Sequence, residues 1–314
     1  LYCLYSYDEN TFYAGTGGNP TNIIKTENAG QSWISQDVSS ITNFINDIYF
    51  FDNLEGVFAG DPSGGSWGVG ITTNGGQSWV KSNKLPSVLS GESGYTGCSF
   101  GLGNNFWFGT NKGRVIFTRD RGKNWQSVTV KSNGFIHKIL FLDGLIGVAV
   151  YGNSQTDTER KLAVTWDGGF NWTTDKFNFG KTLGVSPIYL YKPKDATLII
   201  ALCSGGEIYS SKDYGQSWQP VLNQKYSTIS FGAAFGEFGE CRLWSGETEL
   251  TYLDFEYLPD NAKKTLQINP SGTIAFGEIE ANKSKTITVT ITNTGNMNIN
   301  IDSTKIILGN GLIH

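Results

Sequence analysis

The sequence contains few of the residues that most often carry catalysis or bind metals. Its 314 residues include two histidines, four cysteines and one methionine. The histidines are His137 and His314, and no Cys-x-x-Cys spacing accompanies either of them, so a zinc site is not expected. No run of about 18 apolar residues is present, so we expect no membrane-spanning helix. No metal and no organic cofactor is predicted.

Positive charge is also scarce. Lysine and arginine together number 24 against 28 aspartates and glutamates, which gives a formal net charge of −4. A protein that binds nucleic acid generally needs a basic surface along the phosphate backbone, and no basic stripe runs through this sequence. Nucleic acid is therefore not an expected partner.

Strong helix formers are few, whereas glycine and large aromatic residues are abundant. The sequence has 40 glycines, 9 tryptophans, 14 tyrosines and 19 phenylalanines. Glycine permits tight turns, and aromatic side chains supply the apolar surface that a repeated β core needs. A chain of this length can hold one large all-β domain and part of a second. The expected fold class is therefore all-β.

An internal repeat is the clearest feature of the sequence. Five octapeptides share the pattern Ser/Thr-x-Asp/Asn-x-Gly-x-x-Trp, and their first residues are 46, 46, 47 and 46 positions apart. They run from Thr26 to Trp33, Thr72 to Trp79, Thr118 to Trp125, Thr165 to Trp172 and Ser211 to Trp218. A period of roughly 40–50 residues with several short strands per repeat predicts a β-propeller, in which each repeat is one blade of four antiparallel strands.

The second repeat shows the expected order of strands. Apolar segments at 48–51, 56–60 and 69–72 precede its octapeptide, and a fourth strand is expected after it. The octapeptide is therefore predicted to be the turn that joins the third strand of each blade to the fourth.

Three positions of each octapeptide have a physical role in such a turn. The third residue accepts backbone hydrogen bonds that close the turn, and it is Asn28, Asn74, Asp120, Asp167 or Asp213. The fifth residue adopts a positive φ without steric cost, and it is Gly30, Gly76, Gly122, Gly169 or Gly215. The eighth residue buries on the order of 150–250 Å² against its own or the neighbouring blade. It is Trp33, Trp79, Trp125, Trp172 or Trp218.

These octapeptides resemble the Asp-boxes, or bacterial-neuraminidase repeats, of sialidases, sortilin-type receptors, xyloglucan hydrolases and the photosystem assembly-factor propellers. The resemblance covers about residues 1–259. It implies a β-propeller but no particular activity, because in those families the boxes lie on the outer rim, away from the central site.

The number of blades is left open between six and seven. A sixth repeat, residues 228–258, has three strand-like segments but no octapeptide and no clear fourth strand. Propellers commonly close by pairing strands from both ends of the domain, which removes an exposed edge. We expect six blades, with seven as the alternative if a segment before Leu1 supplies a strand or a further blade.

A second domain is expected after the propeller. Residues 1–259 are assigned to the propeller, 260–264 to a polar linker and 265–314 to the first part of an immunoglobulin-like β-sandwich. Alternation of apolar and polar residues from Ser284 to Asn293 predicts a half-buried strand. That strand should pair with the segments at 266–268 and 299–307, so that its apolar face is covered.

The second domain also resembles a known family. A Phe276-Gly277 pair precedes the Thr-rich strand, and Asn293-Thr294-Gly295-Asn296 follows it. This pattern resembles the immunoglobulin-like modules of the abnormal-spindle, Hydin and choice-of-anchor D type. Such sandwiches need about 100 residues, of which only about half are present. The remainder is expected either to lie beyond His314 or to be absent, and further domains of the same chain are expected as partners.

Residues that could form a hydrolase site are few. A sialidase needs three converging arginines, and the Phe/Tyr-Arg-Ile-Pro motif of that family is absent. The five arginines of the chain are Arg114, Arg119, Arg121, Arg160 and Arg242, and two of them lie within an octapeptide. Glycoside hydrolysis by paired carboxylates is an alternative, for which the loop acids are Asp61, Glu207 and Glu247. The simpler interpretation is that these acids are solvated, and no enzyme activity is predicted.

The cysteines and the internal histidine are expected to be structural. Cys3, Cys98, Cys203 and Cys241 fall in strand-like segments, where buried thiols are the usual state. A disulfide between Cys203 and Cys241 is the alternative, because they occupy comparable second-strand positions of adjacent repeats. His137 is expected to be a hydrogen-bonded strand residue.

The remaining candidates lie on the loops of one propeller face. Such loops vary freely on a rigid scaffold, so they are the expected place for function. Trp67 and Tyr151 are amphipathic anchors of the kind enriched at interfaces, although Trp67 could instead cap its blade. The candidate binding residues are Asp61, Trp67, Lys112, Arg114, Tyr151, Arg160 and Glu207.

The sequence therefore favours a secreted or cell-surface protein of bacterial type that binds a protein or a glycan. The sandwich would be a spacer towards an anchor, and direct insertion into a membrane is not expected. Two alternatives are kept. One is a carbohydrate-active hydrolase with carboxylates clustered at the central channel, and the other is a periplasmic assembly factor, which the second domain disfavours.

Overall fold

Strands account for all the regular structure in the described part of the chain. The computed structural model describes residues 1–157, 160–174, 187–191, 199–203, 208–222, 230–235, 240–246, 250–256, 266–269, 288 and 290–294. Within these ranges there are 25 strands and no helix. The chain divides into two compact units, Leu1–Ser230 and Phe231–His314.

The first unit contains five four-stranded antiparallel sheets, each with its strands in sequence order. The first two sheets comprise β1 (Cys3–Ser6), β2 (Phe12–Gly15), β3 (Asn22–Thr26) and β4 (Ile34–Asp37), then β5 (Ile45–Phe50), β6 (Gly56–Gly60), β7 (Gly70–Thr72) and β8 (Val80–Lys81). The third comprises β9 (Gly94–Leu102), β10 (Asn105–Thr110), β11 (Arg114–Thr118) and β12 (Gln126–Thr129). The fourth comprises β13 (Phe135–Phe141), β14 (Gly147–Gly152), β15 (Lys161–Thr165) and β16 (Thr173–Thr174). The fifth comprises β17 (Pro187–Tyr191), β18 (Ile199–Cys203), β19 (Ile208–Ser211) and β20 (Gln219–Leu222).

The first strands of these sheets are neighbours in order along the chain. β1 contacts β5, β5 contacts β9, β9 contacts β13, and β13 contacts β17. Successive four-stranded sheets that meet through their first strands are arranged as the blades of a β-propeller. The octapeptides lie between the third and fourth strands, and so on the side of each sheet that is away from the centre.

The octapeptide turns are built as their chemistry predicts. The first residue accepts hydrogen bonds through its hydroxyl oxygen from the N–H groups of the third and fifth residues, and it donates to the side-chain oxygen of the third. That oxygen also accepts the N–H of the seventh residue, at 2.8–3.0 Å in all five turns. The five glycines have φ between 79° and 100°. The predicted positive φ is confirmed.

The apolar core lies between consecutive sheets. Each of four clusters combines residues of one sheet with residues of the next and with the tryptophan of the later octapeptide. Trp125 and Trp218 are buried accordingly, with 7% and 5% of their surface exposed. Trp33 is 46% exposed, which corrects the expectation that all five tryptophans are buried. Its sheet is the first in the chain, whereas the other four pack towards the sheet before them.

Two smaller sheets follow. A three-stranded sheet of β21 (Ser230–Phe235), β22 (Glu240–Gly246) and β23 (Leu250–Glu256) starts at the division between the units, and no fourth strand joins it among the described residues. This matches the three strand-like segments predicted for the sixth repeat. The number of blades stays a prediction, and so does the linker at 260–264, which lies outside the described residues.

The last sheet consists of two strands. β24 (Leu266–Asn269) pairs antiparallel with β25 (Thr290–Asn293), with Leu266 opposite Asn293. This pairing was predicted, whereas the segment at 299–307 lies outside the described residues. Ile291 is 41% exposed, although the alternation predicted a covered apolar face. The described residues of this sheet provide only two strands, and the sandwich stays a prediction.

Candidate functional site

The first strands of four sheets are irregular at the same place. The pairing shifts between Ile45 and Asp47 in β5, and between Ile136 and Lys138 in β13. A similar shift occurs between Pro187 and Tyr189 in β17. In β9, the residues from Tyr95 to Cys98 have no paired partner on β10. Such bulges re-aim side chains, and they are common beside functional sites.

These irregular strands bring polar side chains together. The Ser99 hydroxyl on β9 donates to Asp47 Oδ2 on β5 at 2.5 Å, and the Ile48 N–H donates to Asp47 Oδ1 at 2.9 Å. The Lys138 ammonium on β13 donates to the Gly97 carbonyl at 2.8 Å. All three side chains are half-buried. We call Asp47, Ser99, Lys138 and the Gly97 carbonyl the central cluster.

The electrostatics of the central cluster are set by burial and by one nearby cation. Burial raises the pKa of Asp47, while the Ser99 hydroxyl, the Ile48 N–H and the positive charge of Lys138 act in the opposite direction. Asp47 still has unused acceptor positions, and Lys138 has two N–H groups beyond the one bonded to Gly97. The cluster can therefore both accept hydrogen bonds from a polar ligand and donate to it. Asp47 is its only carboxylate.

Among the binding residues predicted from the sequence, Asp61 is linked to the central cluster through hydrogen bonds to neighbouring residues. Its Oδ1 accepts from Asn46 Nδ2 at 2.9 Å and from the Gly94 N–H at 3.0 Å. Asn46 directly precedes Asp47, and Gly94 begins the bulged strand β9. Asp61 therefore connects the loop of the second sheet to the first strand of the third.

Two predicted anchors are inside the protein. Trp67 has 0% and Tyr151 has 1% of its surface exposed. Trp67 packs edge-on against Phe108 of the next sheet, with ring centroids 5.2 Å apart. This corrects the expectation that the two residues form surface anchors, because both belong to the apolar core between sheets. For Trp67, the structure agrees with the other expectation given above, that it caps its blade.

Arg114 is also buried, which corrects its assignment as a binding residue. Its guanidinium donates to both oxygens of Glu92, at 2.8 and 2.5 Å, and to the Ser87 carbonyl at 2.9 Å. The Arg114 and Glu92 side chains are 9% and 0% exposed. A buried ion pair of this kind is unavailable to a partner, because separating it would leave an unpaired charge in the interior.

The other predicted charges lie apart from the central cluster. Lys112 is half-buried and lines a cavity of about 330 Å³. Arg160 donates through Nε to the Asp157 carbonyl at 3.1 Å. Glu207 and Glu247 lie outside the described residues. Arg121 pairs with Asp52 and Glu55, so the described arginines have separate partners and do not converge on one point.

His137 only partly meets its prediction. Its side chain is 6% exposed, and Nε2 has no hydrogen-bond partner among the described residues. Burial and the nearby positive charge of Arg160 lower its pKa to about 4, although Asp157 and a hydrogen bond with the Ser154 backbone act in the opposite direction. The imidazole is therefore neutral at pH 7.

The cysteine thiols are unreactive where the structure describes them. Burial raises the pKa of both Cys3 and Cys98 to about 12, and Cys98 is fully buried. The expectation of a buried thiol is confirmed for Cys98. The side chains of Cys203 and Cys241 lie outside the described residues, so their pairing stays a prediction.

Sequence reasoning missed the central cluster, although one signal was present. Asp47 and Lys138 are charged residues in largely apolar first-strand segments, two repeats apart, and each follows a polar residue, Asn46 or His137. A charge in the same strand of two repeats indicates a shared environment near the centre. Ser99 has no comparable signal, because serine is common in strands and turns alike.

Two further properties of the described residues bear on function. They include no helix long and apolar enough to cross a membrane. They also contain no group of three or more histidine, cysteine, aspartate or glutamate side chains that could hold a metal ion.

Comparison with solved structures establishes the fold. A structure of YCF48 bound to a D1 peptide matches with a TM-score of 0.58 and 22% identity, over 82% of this chain and 77% of that one. The GH74 xyloglucanase of Xanthomonas campestris matches with a TM-score of 0.54 and 11% identity, over 84% of this chain and 48% of that one. The computationally designed protein Ika8 also matches, with a TM-score of 0.54 and 13% identity over 82% and 70%.

These likenesses show a β-propeller and no particular activity, because identities this low carry fold without function. No protein-family model matches the chain. No curated protein sequence matches it significantly either.

Proposed function

We propose that this chain is a secreted or cell-surface binding protein whose propeller recognises a segment of a partner protein at the central cluster. The observation that carries the proposal is the mixed chemistry of that cluster. Asp47 can accept hydrogen bonds and Lys138 can donate them, which suits the amide groups and polar side chains of a peptide. YCF48, which has the same fold, is a protein whose structure contains a bound peptide.

The proposal also assigns the repeats and the second domain. The five octapeptides are Asp-boxes that hold the blades together, which is supported by the hydrogen bond from the seventh-residue N–H to the third-residue side chain that all five share. The region after the propeller is an immunoglobulin-like spacer, which is supported by the antiparallel pairing of β24 with β25.

Peptide binding can be tested on the full chain with an array of random 12-residue peptides. We expect a subset of peptides to bind the wild-type chain, and this binding to fall about tenfold or more in Lys138→Met, the effect of losing one charge-assisted hydrogen bond. Lys123→Met is the matched control, because Lys123 is an exposed octapeptide residue outside the central cluster. Peptide binding that survives in both Lys138→Met and Asp47→Asn would contradict the proposal.

The chain is proposed not to be an enzyme. This is supported by the central cluster having one carboxylate, since glycoside hydrolysis normally uses a pair. The direct test is incubation of the chain with β-glucans and sialosides, followed by measurement of released sugar. Turnover that is lost in Asp47→Asn or Asp61→Asn would replace this proposal with a hydrolase.

A further inference from the structure

The connection between β8 and β9, residues 82–93, is the longest fully described link between consecutive sheets. It borders an open cavity of about 330 Å³. The cavity is lined by Leu89, Ser90, Lys112, Thr129, Ser132 and Asn133. None of these residues belongs to the central cluster. Cavities that bind small molecules begin at about 300 Å³, so this one can hold a single compact group.

One wall of the cavity is fixed from inside the protein. Glu92, whose side chain is fully buried, accepts from Arg114, from the Thr110 hydroxyl at 2.8 Å and from the Leu89 N–H at 2.9 Å. Arg114 in turn donates to the Ser87 carbonyl. This buried pair therefore ties both ends of the segment from Ser87 to Glu92 to the third sheet. Removing the charges of Arg114 and Glu92 from water costs free energy. We therefore attribute the pair to its positioning of the segment from Ser87 to Glu92 and not to a gain in stability.

The wall that carries Lys112 is fixed as well. Asn111 accepts the Ser93 N–H at 2.9 Å and donates to the Gly91 carbonyl at 3.0 Å. Gly113 has a φ of 69°, and a Cβ on it would lie 1.8 Å from the Lys131 carbonyl oxygen. The loop of Lys112 is thus packed directly against the turn that carries Ser132 and Asn133. The cavity is preformed on three sides.

Part of the backbone next to the cavity is already hydrogen-bonded. The N–H groups of Asn111 and Glu92 donate to the Ser93 and Leu89 carbonyls, and the Gly134 N–H donates to the Lys131 carbonyl. An extended peptide usually binds by pairing with such backbone groups. These groups are not free to pair with a peptide, and the side chains that line the cavity are the other source of recognition.

Those side chains define a chemical class of ligand. Lys112 takes part in no ion pair among the described residues, and no carboxylate lines the cavity. Ser90, Thr129 and Ser132 offer hydroxyls, Asn133 offers an amide, and Leu89 offers an apolar surface. One positive charge, several neutral hydrogen-bonding groups and one apolar contact complement a sugar ring that carries one carboxylate.

We propose that this cavity binds a sugar acid unit of a glycan, with the carboxylate of the sugar on Lys112 and its hydroxyls on Ser90, Thr129, Ser132 and Asn133. This site goes beyond the proposed peptide site, with which it shares no residue. The chain would then bind two kinds of partner, a protein segment at the centre and an acidic glycan beside the third blade.

The site can be tested by NMR titration of the isotope-labelled full chain with glucuronate, glucose and glutamate. We expect glucuronate to bind saturably and at least tenfold more tightly than glucose or glutamate. Lys112→Met should weaken glucuronate binding about tenfold or more, because it removes a charge-assisted hydrogen bond. Thr129→Ala, a conservative change at an exposed strand end, should weaken it a few-fold.

The control is again Lys123→Met, which removes an exposed lysine outside the cavity and should leave glucuronate binding unchanged. Thermal unfolding of each variant checks that it is folded. If glucose binds as tightly as glucuronate, the carboxylate of the sugar does not contribute to binding. If glutamate binds as tightly as glucuronate, the ligand is an acidic peptide instead of a sugar. Either result would overturn the proposal, as would the absence of saturable binding or an equal loss in Lys123→Met.

Discussion

The third octapeptide shows how a single carboxylate organises a turn. Asp120 Oδ1 accepts from the Thr118 hydroxyl at 2.9 Å and from the Asn124 N–H at 2.8 Å, and Oδ2 accepts from Asn124 Nδ2 at 2.6 Å. Burial acts to raise the pKa of Asp120, but these hydrogen bonds outweigh it and hold the pKa below its usual value. Asn28 and Asn74 occupy the same position in their turns and make the same bond to the seventh residue.

Replacing Asp120 by alanine should therefore destabilise the fold without affecting the central cluster. We expect a loss of about 1–2 kcal/mol in the free energy of unfolding, measured by urea denaturation, because the turn loses its hydrogen-bond acceptor. Asp120→Asn is the matched control and should lose less than half as much, since asparagine serves in two of the five turns. An equal loss in both variants would mean that charge, and not turn geometry, is what the position requires.

Asp47 is expected to behave in the opposite way. Its folded pKa is raised, so its contribution to stability is lost as the pH rises through that folded value. Asp47→Asn should then raise the free energy of unfolding at pH 7 relative to the wild type and have less effect at pH 4. Residues that serve function commonly lower the stability of the fold in this way.

Ser99→Ala tests whether the ionised Asp47 carboxylate destabilises the fold, because it removes a hydrogen bond to that carboxylate. Its hydroxyl favours the ionised carboxylate of Asp47. Removing it should lower the free energy of unfolding at pH 7 more than at pH 4, as followed by denaturation at both values. If Asp47→Asn instead destabilises the protein at pH 7, the carboxylate is a net stabilising group and the assignment of the central cluster to binding loses its support.

At the scale of strands and loops, the turns were predictable and the bulges were not. The hydrogen bonds made within each octapeptide connect residues at most four positions apart, so the local sequence determines the turn. The bulge beside Asp47 depends on how β5 pairs with β6 and on the contact of β5 with β9. Such contacts are not encoded in any short segment, and the central cluster was missed for that reason.

The burial of the predicted anchors has the same origin. Trp67 packs against Phe108, which is 41 positions away in the sequence, and Arg114 pairs with Glu92 on a different element. Residue type and loop position suggested exposed groups in both cases. What decides their exposure is the distant segment that packs against each of them, and the spacing of repeats gives no information on the side chains that meet there.

The element formed by β13 and the loop after β14 should be sensitive to acid. The groups that face His137 are Asp157, Arg160, Phe135 and the Ser154 backbone. Its folded pKa of about 4 lies below the usual value of 6.5, so the unfolded chain binds the proton more readily. This contribution to stability is complete above pH 6.5 and is lost as the pH falls through about 4.

We therefore expect the wild-type free energy of unfolding to fall by up to about 3 kcal/mol between pH 6.5 and pH 4 from His137 alone. His137→Gln, which cannot titrate, should show a smaller fall over this interval in paired denaturation series. The aspartates of the octapeptides also contribute in acid, but only near and below pH 4, because their pKa values are lowered. Identical slopes for the two proteins above pH 5 would disprove the role of His137.

At the scale of the whole molecule, the end of the propeller can be tested directly. The sequence predicts a linker at 260–264, whereas the compact units divide after Ser230. We expect limited proteolysis to cut within the linker and to leave a folded fragment that contains all six repeats, as identified by mass spectrometry. A stable fragment that ends near Ser230 would instead remove the sixth repeat from the propeller.

The local nature of the octapeptide turns has a consequence for biosynthesis. Each turn joins its third and fourth strands through bonds that span at most four residues, and short loops of this kind close in well under a millisecond. A ribosome adds only about 5–20 residues per second, so one hairpin can form before the next repeat has been made. The contacts between first strands arise later, because each needs the following repeat. We therefore expect the blades to assemble in chain order during translation, with each octapeptide tryptophan after Trp33 covering the sheet that was completed just before it.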